Sequence, residues 1–170
     1  MLNELLTLSR IETDDKALQV APIDISHLLQ EIIAEAKQLT EFNLHYISLS
    51  ADSEYWLLAD IEELRSAVSN LVYNAVKYTP PGSEIAVGWQ VDGTLGQIVV
   101  GDNGEGIAEH HIERLTERFY RVDSGRSQSD GGTGLGLAIV KHVLQRHDAS
   151  LEISSELGKG TRFECCFPIR

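Results

Sequence analysis

The sequence lacks the features by which membrane-spanning and disulfide-rich proteins are recognised. It has no apolar run near the ~20 residues that a helix needs to cross a bilayer, and no basic start followed by an apolar signal segment. Its two cysteines, Cys165 and Cys166, are adjacent. Because neighbours in a strand point to opposite faces, a disulfide between them is strained, and a reduced, cytosolic setting is the simplest interpretation.

Basic residues are also scarce. The chain carries 14 lysines and arginines against 26 acidic residues, which gives a net charge of −12. Nucleic-acid binding needs a basic footprint, so this balance argues against a nucleic-acid partner. It does not exclude a phosphate ligand, because metal ions and local arginines can carry the positive charge. Four arginines share one stretch that, taken alone, is typical of a solvated loop: Arg114, Arg118, Arg121 and Arg126.

Local sequence patterns predict one domain of mixed secondary structure. The length of 170 residues and the 42% hydrophobic content suit a single domain with a real core. Apolar periodicity predicts helices over 1–12, 24–40, 60–79, 108–117 and 133–147. Strands are predicted over 44–49, 55–58, 84–90, 97–100, 151–154 and 161–168. This mix predicts an α+β fold, a two-layer sandwich with helices on one face of a mixed, mainly antiparallel sheet.

Specific residues mark some of the element ends. Asp24 and Asp60 are the predicted N-caps of the second and third helices, and Glu63 extends the Asp60 cap into a capping box. Segment 118–132 is polar and rich in glycine and serine, so we predict a mobile loop there.

The third predicted helix carries a polar stripe. At about 100° per residue, Asn70, Asn74 and Lys77 fall within roughly 60° of one another, with apolar residues such as Ile61 on the far side. Amide oxygens are good ligands for Mg²⁺, which shares its coordination shell with waters and phosphates. A stripe that simply meets solvent explains the pattern equally well, so the helix alone does not decide between the two.

Two glycine-containing segments allow close approach of backbone to a ligand. Asp102 begins Asp-Asn-Gly-Glu-Gly-Ile and offers an acceptor for an exocyclic amine such as that of adenine, although ordinary turn chemistry explains this motif more often. The segment 131–136 has four glycines and opens a helix. It has neither the Gly-Lys-Ser/Thr of a P-loop nor the spacing of the dinucleotide fingerprint. Backbone donors at a helix N-terminus favour a phosphate cradle there over a plain turn.

Five segments, in order, resemble the conserved boxes of one family. NLVYNAVKYT, DNGEGI, ERFYRVD, GGTGLGLAIVK and GKGTRF resemble the N, G1, F, G2 and G3 boxes of the ATP-binding catalytic domain of sensor histidine kinases. Each box is weak alone, but five in order at normal separations are specific. RSAVSNLVYNAVKYTP and RLTERFYRVD resemble, more narrowly, the phosphate-regulon sensor kinases of Gram-negative bacteria. The resemblance implies the Bergerat fold, an α/β sandwich.

The resemblance also implies roles at the phosphate end of a nucleotide site. Asn74 would be the principal Mg²⁺ ligand, helped by Asn70, while Lys77 and Arg121 would meet the phosphates. Asn70, Lys77 and Arg121 would therefore be the catalytic residues. Related ATPases of this fold carry a glutamate at the position of Asn70 to activate water. An amide there implies slow hydrolysis, with the γ-phosphate held for an incoming imidazole.

The other boxes would hold the rest of the ATP molecule. Asp102 would bind the adenine amine, and Thr161 would complete the adenine pocket. Tyr78 would line the nucleotide, and Phe119 would anchor a lid over it. The remaining implied contacts belong to the G1 and G2 boxes: Gly104, Gly106, Gly132, Gly134, Leu135 and Gly136.

The same resemblance implies a missing partner domain. None of the six histidines lies in a motif like the H-E-x-R-T-P of a phosphoacceptor helix, whereas ELLTLSRIE resembles the end of the second hairpin helix. We therefore expect residues 1–16 to be a remnant of the dimerisation hairpin and its linker, and residues 17–170 to be the ATP-binding catalytic domain. The expected function is transfer of the γ-phosphate of Mg-ATP to a histidine on that hairpin.

Further partners follow from this expectation. The phosphate would be relayed to a response regulator, in phosphate-starvation signalling. The fragment would be a soluble, cytoplasmic part of an inner-membrane sensor, joined to the membrane through an N-terminal part that is missing here. Two alternatives stay open: a serine kinase of the anti-sigma type, and a nucleotide-sensing module that binds ATP and transfers nothing.

Overall fold

The computed structural model describes residues 2–13, 17–38, 44–52, 54–122 and 132–169. Most of the predicted loop 118–132, Arg126 included, and the predicted helix end at 39–40 lie outside them. The elements in chain order are α1 (Leu2–Thr13), β1 (Val20–Asp24), α2 (Ile25–Gln38), β2 (Tyr46–Ala51), β3 (Trp56–Asp60), α3 (Ile61–Lys77), β4 (Glu84–Asp92), β5 (Leu95–Asp102), α4 (Glu109–Ile112), α5 (Gly136–Arg146), β6 (Ser150–Glu156) and β7 (Gly160–Pro168).

The strands form one main sheet and one small one. The main sheet has five strands in the order β2-β4-β5-β7-β6, and β1 pairs separately with β3. Of the described pairings, β2 with β4 runs parallel and the others run antiparallel. The predicted mixed, mainly antiparallel sheet is therefore confirmed. Strand β1 was not predicted, and β4 and β5 are both longer than predicted.

One hydrophobic core joins the helices to one face of the main sheet. Strand β4 alternates between buried and less buried residues, as expected for a strand with a single covered face. Each fully buried leucine, isoleucine or phenylalanine contributes about 1.5–3 kcal/mol. The largest side chains that are fully buried are Trp89, Phe167, Ile25, Leu28, Leu29, Ile32, Leu64, Leu71, Ile85, Ile98, Leu135 and Ile139. The predicted two-layer α+β sandwich is confirmed.

Both predicted helix caps are present in the structure, and the cap at Asp60 also connects α3 to α5. Asp24 accepts a hydrogen bond from the backbone N–H of His27 at 3.0 Å, and Asp60 accepts from the N–H of Glu63 at 3.3 Å. The capping box is only half formed, because the Glu63 carboxylate pairs instead with Arg146 at 3.0 Å, at the end of α5. The Asp60 N–H donates to Nε2 of His147 at 3.0 Å. These contacts fix how α3 and α5 lie beside each other.

Three local predictions need correction. Helix α4 ends at Ile112, and turns replace the predicted helix over 113–117. Helix α5 begins at Gly136 rather than at residue 133, because Gly134 has a φ of 71°, which a right-handed helix cannot accommodate. Ile61, expected on the apolar face of α3, is 46% exposed at the first position of the helix. In the described part of the chain, no helix has the length and apolar character needed to cross a bilayer.

Candidate functional site

A cavity of about 420 Å³ lies between α3, the end of β5 and the start of α5. All but three of the predicted site residues line it: Asn70, Asn74, Lys77, Tyr78, Asp102, Gly106, Arg121, Gly132, Gly134, Gly136 and Thr161. Segments far apart in the chain therefore meet at one place, as the order of the boxes implies. The stripe on α3 faces this cavity rather than open solvent.

The other three predicted residues shape the cavity without lining it. The N–H of Gly104 donates to the Asp102 carboxylate at 2.9 Å. Leu135 is fully buried in the core and supports the start of α5 from behind. Phe119 is 61% exposed, and its backbone N–H donates to the Gly134 carbonyl at 2.9 Å.

The asparagines of α3 lie directly against the first residue of α5. Nδ2 of Asn70 donates to the carbonyl of Ser66 at 2.8 Å, which fixes the amide and directs its oxygen away from that carbonyl. A Cβ added to Gly136 would lie 2.9 Å from the Asn70 oxygen and 3.7 Å from Nδ2 of Asn74. Glycine at 136 thus leaves room for the two amides at the start of α5.

The amides are a suitable donor set for Mg²⁺. This ion takes oxygen ligands and usually keeps several waters while sharing a substrate phosphate. Within the described residues, no cluster of three histidine, cysteine, aspartate or glutamate side chains is arranged to hold a metal. The amide oxygens of Asn70 and Asn74 could hold a metal at this cavity, together with phosphate and water.

Two positive side chains converge on the G2 segment. A Cβ added to Gly132 would lie 2.7 Å from Nζ of Lys77, 3.2 Å from the Tyr78 hydroxyl and 3.5 Å from Nη2 of Arg121. The ammonium and the guanidinium are thus brought to the same corner of the cavity. That corner adjoins the N-terminus of α5, whose free N–H groups add to the positive potential. The arrangement suits an anionic ligand with several oxygens.

The F and G2 segments are pressed together through their backbones. Phe119 has a φ of 63°, uncommon for a residue with a side chain. A Cβ added to Gly134 would lie 2.7 Å from the Phe119 Cα, so this contact requires glycine at 134. The contact places Arg121, two residues beyond Phe119, at the cavity wall.

The opposite end of the cavity is built around a carboxylate. Asp102 ends β5 and pairs with Thr161 of β7 in the sheet register. Burial raises the pKa of Asp102, while hydrogen bonds from the N–H groups of Gly104 and Thr161 act in the other direction. These donors hold the carboxylate in place at the cavity wall. A ligand N–H that reaches it meets an acceptor already held in position.

One charged residue outside the five boxes is among the cavity residues that the sequence analysis missed. Glu4 of α1 lines the cavity and accepts a hydrogen bond from the Thr133 hydroxyl. On the same helix, Glu12 forms an ion pair with Arg118. Glu4 and Thr133 are 129 positions apart, so no local pattern in the sequence predicts this contact. It places a negative charge beside the glycine-rich segment that precedes α5.

The fold and the cavity define a class of nucleotide-binding protein. Residues 59–170 match the family described as histidine kinase-, DNA gyrase B-, and HSP90-like ATPase, and the chain belongs to this family. Over 167 residues it is 50% identical to the phosphate regulon sensor protein PhoR of Pseudomonas aeruginosa, covering 98% of this chain and 38% of that protein. These findings confirm the family resemblance and agree with its narrower form.

Other similar proteins are also sensor histidine kinases by name. The chain is 37% identical to the sensor-like histidine kinase SenX3 of Mycolicibacterium smegmatis, covering 99% of this chain and 44% of SenX3. It therefore spans less than half the length of these curated relatives. Full-length ShkA in complex with AMPPNP has a TM-score of 0.84 at 28% identity, over 98% of this chain and 35% of ShkA. The mycobacterial sensor histidine kinase MprB gives 0.76 at 27% identity, over 89% of this chain and 98% of that one.

Proposed function

We propose that this chain is the catalytic part of a sensor histidine kinase, which binds Mg-ATP and transfers the γ-phosphate to a histidine on a separate hairpin domain. One observation carries the proposal. The amides of Asn70 and Asn74 converge with Lys77 and Arg121 at the glycine-rich start of α5, and Asp102 lies in the same cavity. The AMPPNP in the ShkA structure, an analogue of ATP, supports the choice of nucleotide.

The two ends of the cavity suit the two ends of ATP. The adenine amine would donate to the Asp102 carboxylate, beside Thr161. The triphosphate would extend toward Lys77 and Arg121, with backbone N–H groups at the start of α5 completing the cradle. Asn74 and Asn70 would hold Mg²⁺, which when bound supplies positive charge to the phosphate oxygens and helps to orient them.

The chemistry of the stripe favours transfer over hydrolysis. The stripe of α3 presents amides, and an amide cannot take a proton from water as a carboxylate can. The nitrogen of a neutral imidazole needs no general base, unlike water, because it attacks with its own lone pair. The nitrogen–phosphorus bond would form as the bond from the γ-phosphorus to the bridging oxygen breaks, and ADP would leave with that electron pair. Lys77 and Arg121 would stabilise the charge on the transferring group.

The wider role follows from the similarity to PhoR and SenX3 and rests on it. We propose a response regulator as the final phosphate acceptor, phosphate-starvation signalling as the pathway, and a membrane-anchored sensor as the parent protein. We also propose that residues 1–16 are the end of the dimerisation hairpin and its linker. The packing of α1 against α5, beside the cavity, supports this last point.

The direct test is phosphoryl transfer in trans. The chain is mixed with [γ-³²P]ATP, Mg²⁺ and a cognate histidine hairpin made separately. We expect an acid-labile label on the hairpin, no label on this chain, and slow phosphate release when the hairpin is omitted. An acid-stable label on a serine would favour the anti-sigma type of kinase. ATP binding without transfer would favour a nucleotide sensor, and rapid phosphate release would indicate an ATPase.

Glu4→Gln is expected to tighten ATP binding, because it removes a negative charge beside the proposed triphosphate site. Two like charges about 4 Å apart in water repel each other by about 1 kcal/mol, so the gain should be about fivefold in Kd, measured by calorimetry. Glu12→Gln is the matched control, since it removes the same charge from the same helix outside the cavity lining. Equal tightening by both variants would show that the position of Glu4 is not the cause.

A further inference from the structure

A hydroxyl outside the five boxes holds the adenine end of the cavity together. Ser155 lies on β6, opposite Thr161 of β7 in the sheet register. Its Oγ is 2.7 Å from the backbone N of Ile107, 3.0 Å from the carbonyl oxygen of Gly160 and 2.8 Å from Oγ1 of Thr161. Ile107 and Thr161 line the cavity, whereas Ser155 does not. Ser155 therefore links the G1 and G3 segments from behind.

The three contacts determine where the hydroxyl protons lie. A serine hydroxyl has one proton to donate and two lone pairs to accept with. The N–H of Ile107 can only donate, so it uses one lone pair. The carbonyl of Gly160 can only accept, so it takes the proton of Ser155. The second lone pair of Ser155 is left for Thr161, whose hydroxyl must then be the donor between the two.

The opposite assignment is unfavourable. If Ser155 donated to Thr161, its oxygen and the Gly160 carbonyl oxygen would face each other at 3.0 Å with no proton between them. Two oxygen lone pairs at that distance repel. In the favoured arrangement each of the three contacts is a hydrogen bond, and the proton of Thr161 points away from the cavity.

We infer that Ser155 is a positioning residue that selects the nucleobase, because it leaves the Thr161 hydroxyl able only to accept hydrogen bonds from the cavity side. The inference rests on the proposed ATP site. Asp102, next to Thr161, is also an acceptor, so this end of the cavity presents two acceptors. Adenine carries an exocyclic amine with two N–H donors, whereas hypoxanthine carries a carbonyl at the same position. The pair of acceptors therefore favours ATP over ITP.

The test compares ATP and ITP, each with Mg²⁺, by calorimetry. Ser155→Ala should free the Thr161 proton to turn toward the cavity and donate to a base carbonyl. The ratio of the ITP Kd to the ATP Kd should then fall about 2- to 10-fold, the range for one hydrogen bond. Ser154→Ala is the matched control, because Ser154 precedes Ser155 on β6, is exposed and lies outside the cavity lining. This variant should show the same ratio of the ITP Kd to the ATP Kd as the wild type.

Conservative variants separate positioning from simple support of the fold. Ser155→Thr keeps the hydroxyl and should keep the wild-type ratio. If Ser155→Ala does not fold, Thr161→Val and Thr161→Ser test the same acceptor. The valine variant should lower the preference for ATP by about 2- to 10-fold, because Asp102 remains, and the serine variant should keep the wild-type preference. A Ser155→Ala variant that weakens both nucleotides equally, or neither, would overturn the inference. So would a valine variant that keeps the full wild-type preference.

The wild-type protein distinguishes this inference from the proposed function. Wild type that binds ATP and ITP equally would overturn the role of Ser155 and leave the kinase proposal standing. Wild type that binds neither nucleotide would overturn both.

Discussion

Asn74→Ala is expected to abolish phosphoryl transfer to a histidine hairpin while leaving the fold intact. Asn74 is partly buried on the polar stripe, and Gly136 of α5 passes next to its amide. Removing a metal ligand at that point would take away the charge that offsets the triphosphate, an effect worth several kcal/mol in the transition state. Since each 1.36 kcal/mol changes the rate about tenfold, transfer should fall by about a thousandfold or more.

The free energy of unfolding should change little in the Asn74→Ala variant. Alanine is a better helix former than asparagine, which offsets part of the packing that is lost from α3. Ser69→Ala is the matched control, because it removes a small polar group from the same helix outside the cavity lining. Asn74→Asp keeps a ligand oxygen and should recover part of the activity at raised Mg²⁺. Transfer at the wild-type rate by Asn74→Ala would remove this residue from the metal site.

Helix α3 shows how much of the site local sequence patterns can predict. Its cap at Asp60 and its apolar repeat were sufficient to predict the helix itself. Once a segment is helical, the spacing of Asn70, Asn74 and Lys77 fixes them on one side, so the stripe was predictable as well. That the stripe faces a cavity rather than water depends on α5. Only the family resemblance predicted that part.

The missed elements depend on contacts between distant segments. Strand β1 contains Pro22, which normally argues against a strand, and it is stabilised by pairing with β3. The segment after Ile112 carries apolar residues at helical spacing, yet it forms turns, and the backbone N–H of Phe119 then donates to the distant Gly134. Neither partner is local, so periodicity within one window could not reveal them.

Site residues outside the boxes were missed for a related reason. Ser155 looks like any other small polar residue of a strand, and its role depends on the register between β6 and β7. Glu4 looks like a charge on a solvated helix face, and its role depends on the docking of α1 beside α5. The spacing of the box residues along the chain is enough to predict their roles. The roles of Ser155 and Glu4 can be seen only in the tertiary structure.

Asp102→Asn is expected to weaken ATP binding and to stabilise the fold at the same time. The carboxylate would accept a charge-assisted hydrogen bond from the adenine amine. Losing such a bond costs about 1.5–3 kcal/mol, or roughly ten- to a hundredfold in Kd. The stabilisation has a different origin. Burial raises the pKa of Asp102, which means that the folded chain disfavours the charged form.

The difference in stability between Asp102→Asn and the wild type should depend on pH. Below the ordinary aspartate pKa of 3.8, the carboxyl is protonated in both the folded and the unfolded chain, and the variant should gain nothing. As the pH rises through the raised pKa of the folded state, the wild type loses stability because it must ionise a partly buried group. Near pH 7 the neutral amide avoids that loss. The gain should appear as a higher Tm, at about 2–4 °C for each 1 kcal/mol in a chain of this size.

Two measurements on the same variant therefore move in opposite directions, and that opposition is the test. Calorimetry should show weaker ATP binding, and thermal unfolding should show a Tm advantage at pH 7 that disappears in acid. Asp92→Asn is the matched control, since Asp92 is an exposed carboxylate at the end of β4 outside the cavity lining, and it should change neither quantity. Unchanged ATP affinity would remove Asp102 from the nucleotide site. Weaker binding together with a lower Tm would show that the carboxylate acts mainly by supporting the G1 turn through Gly104.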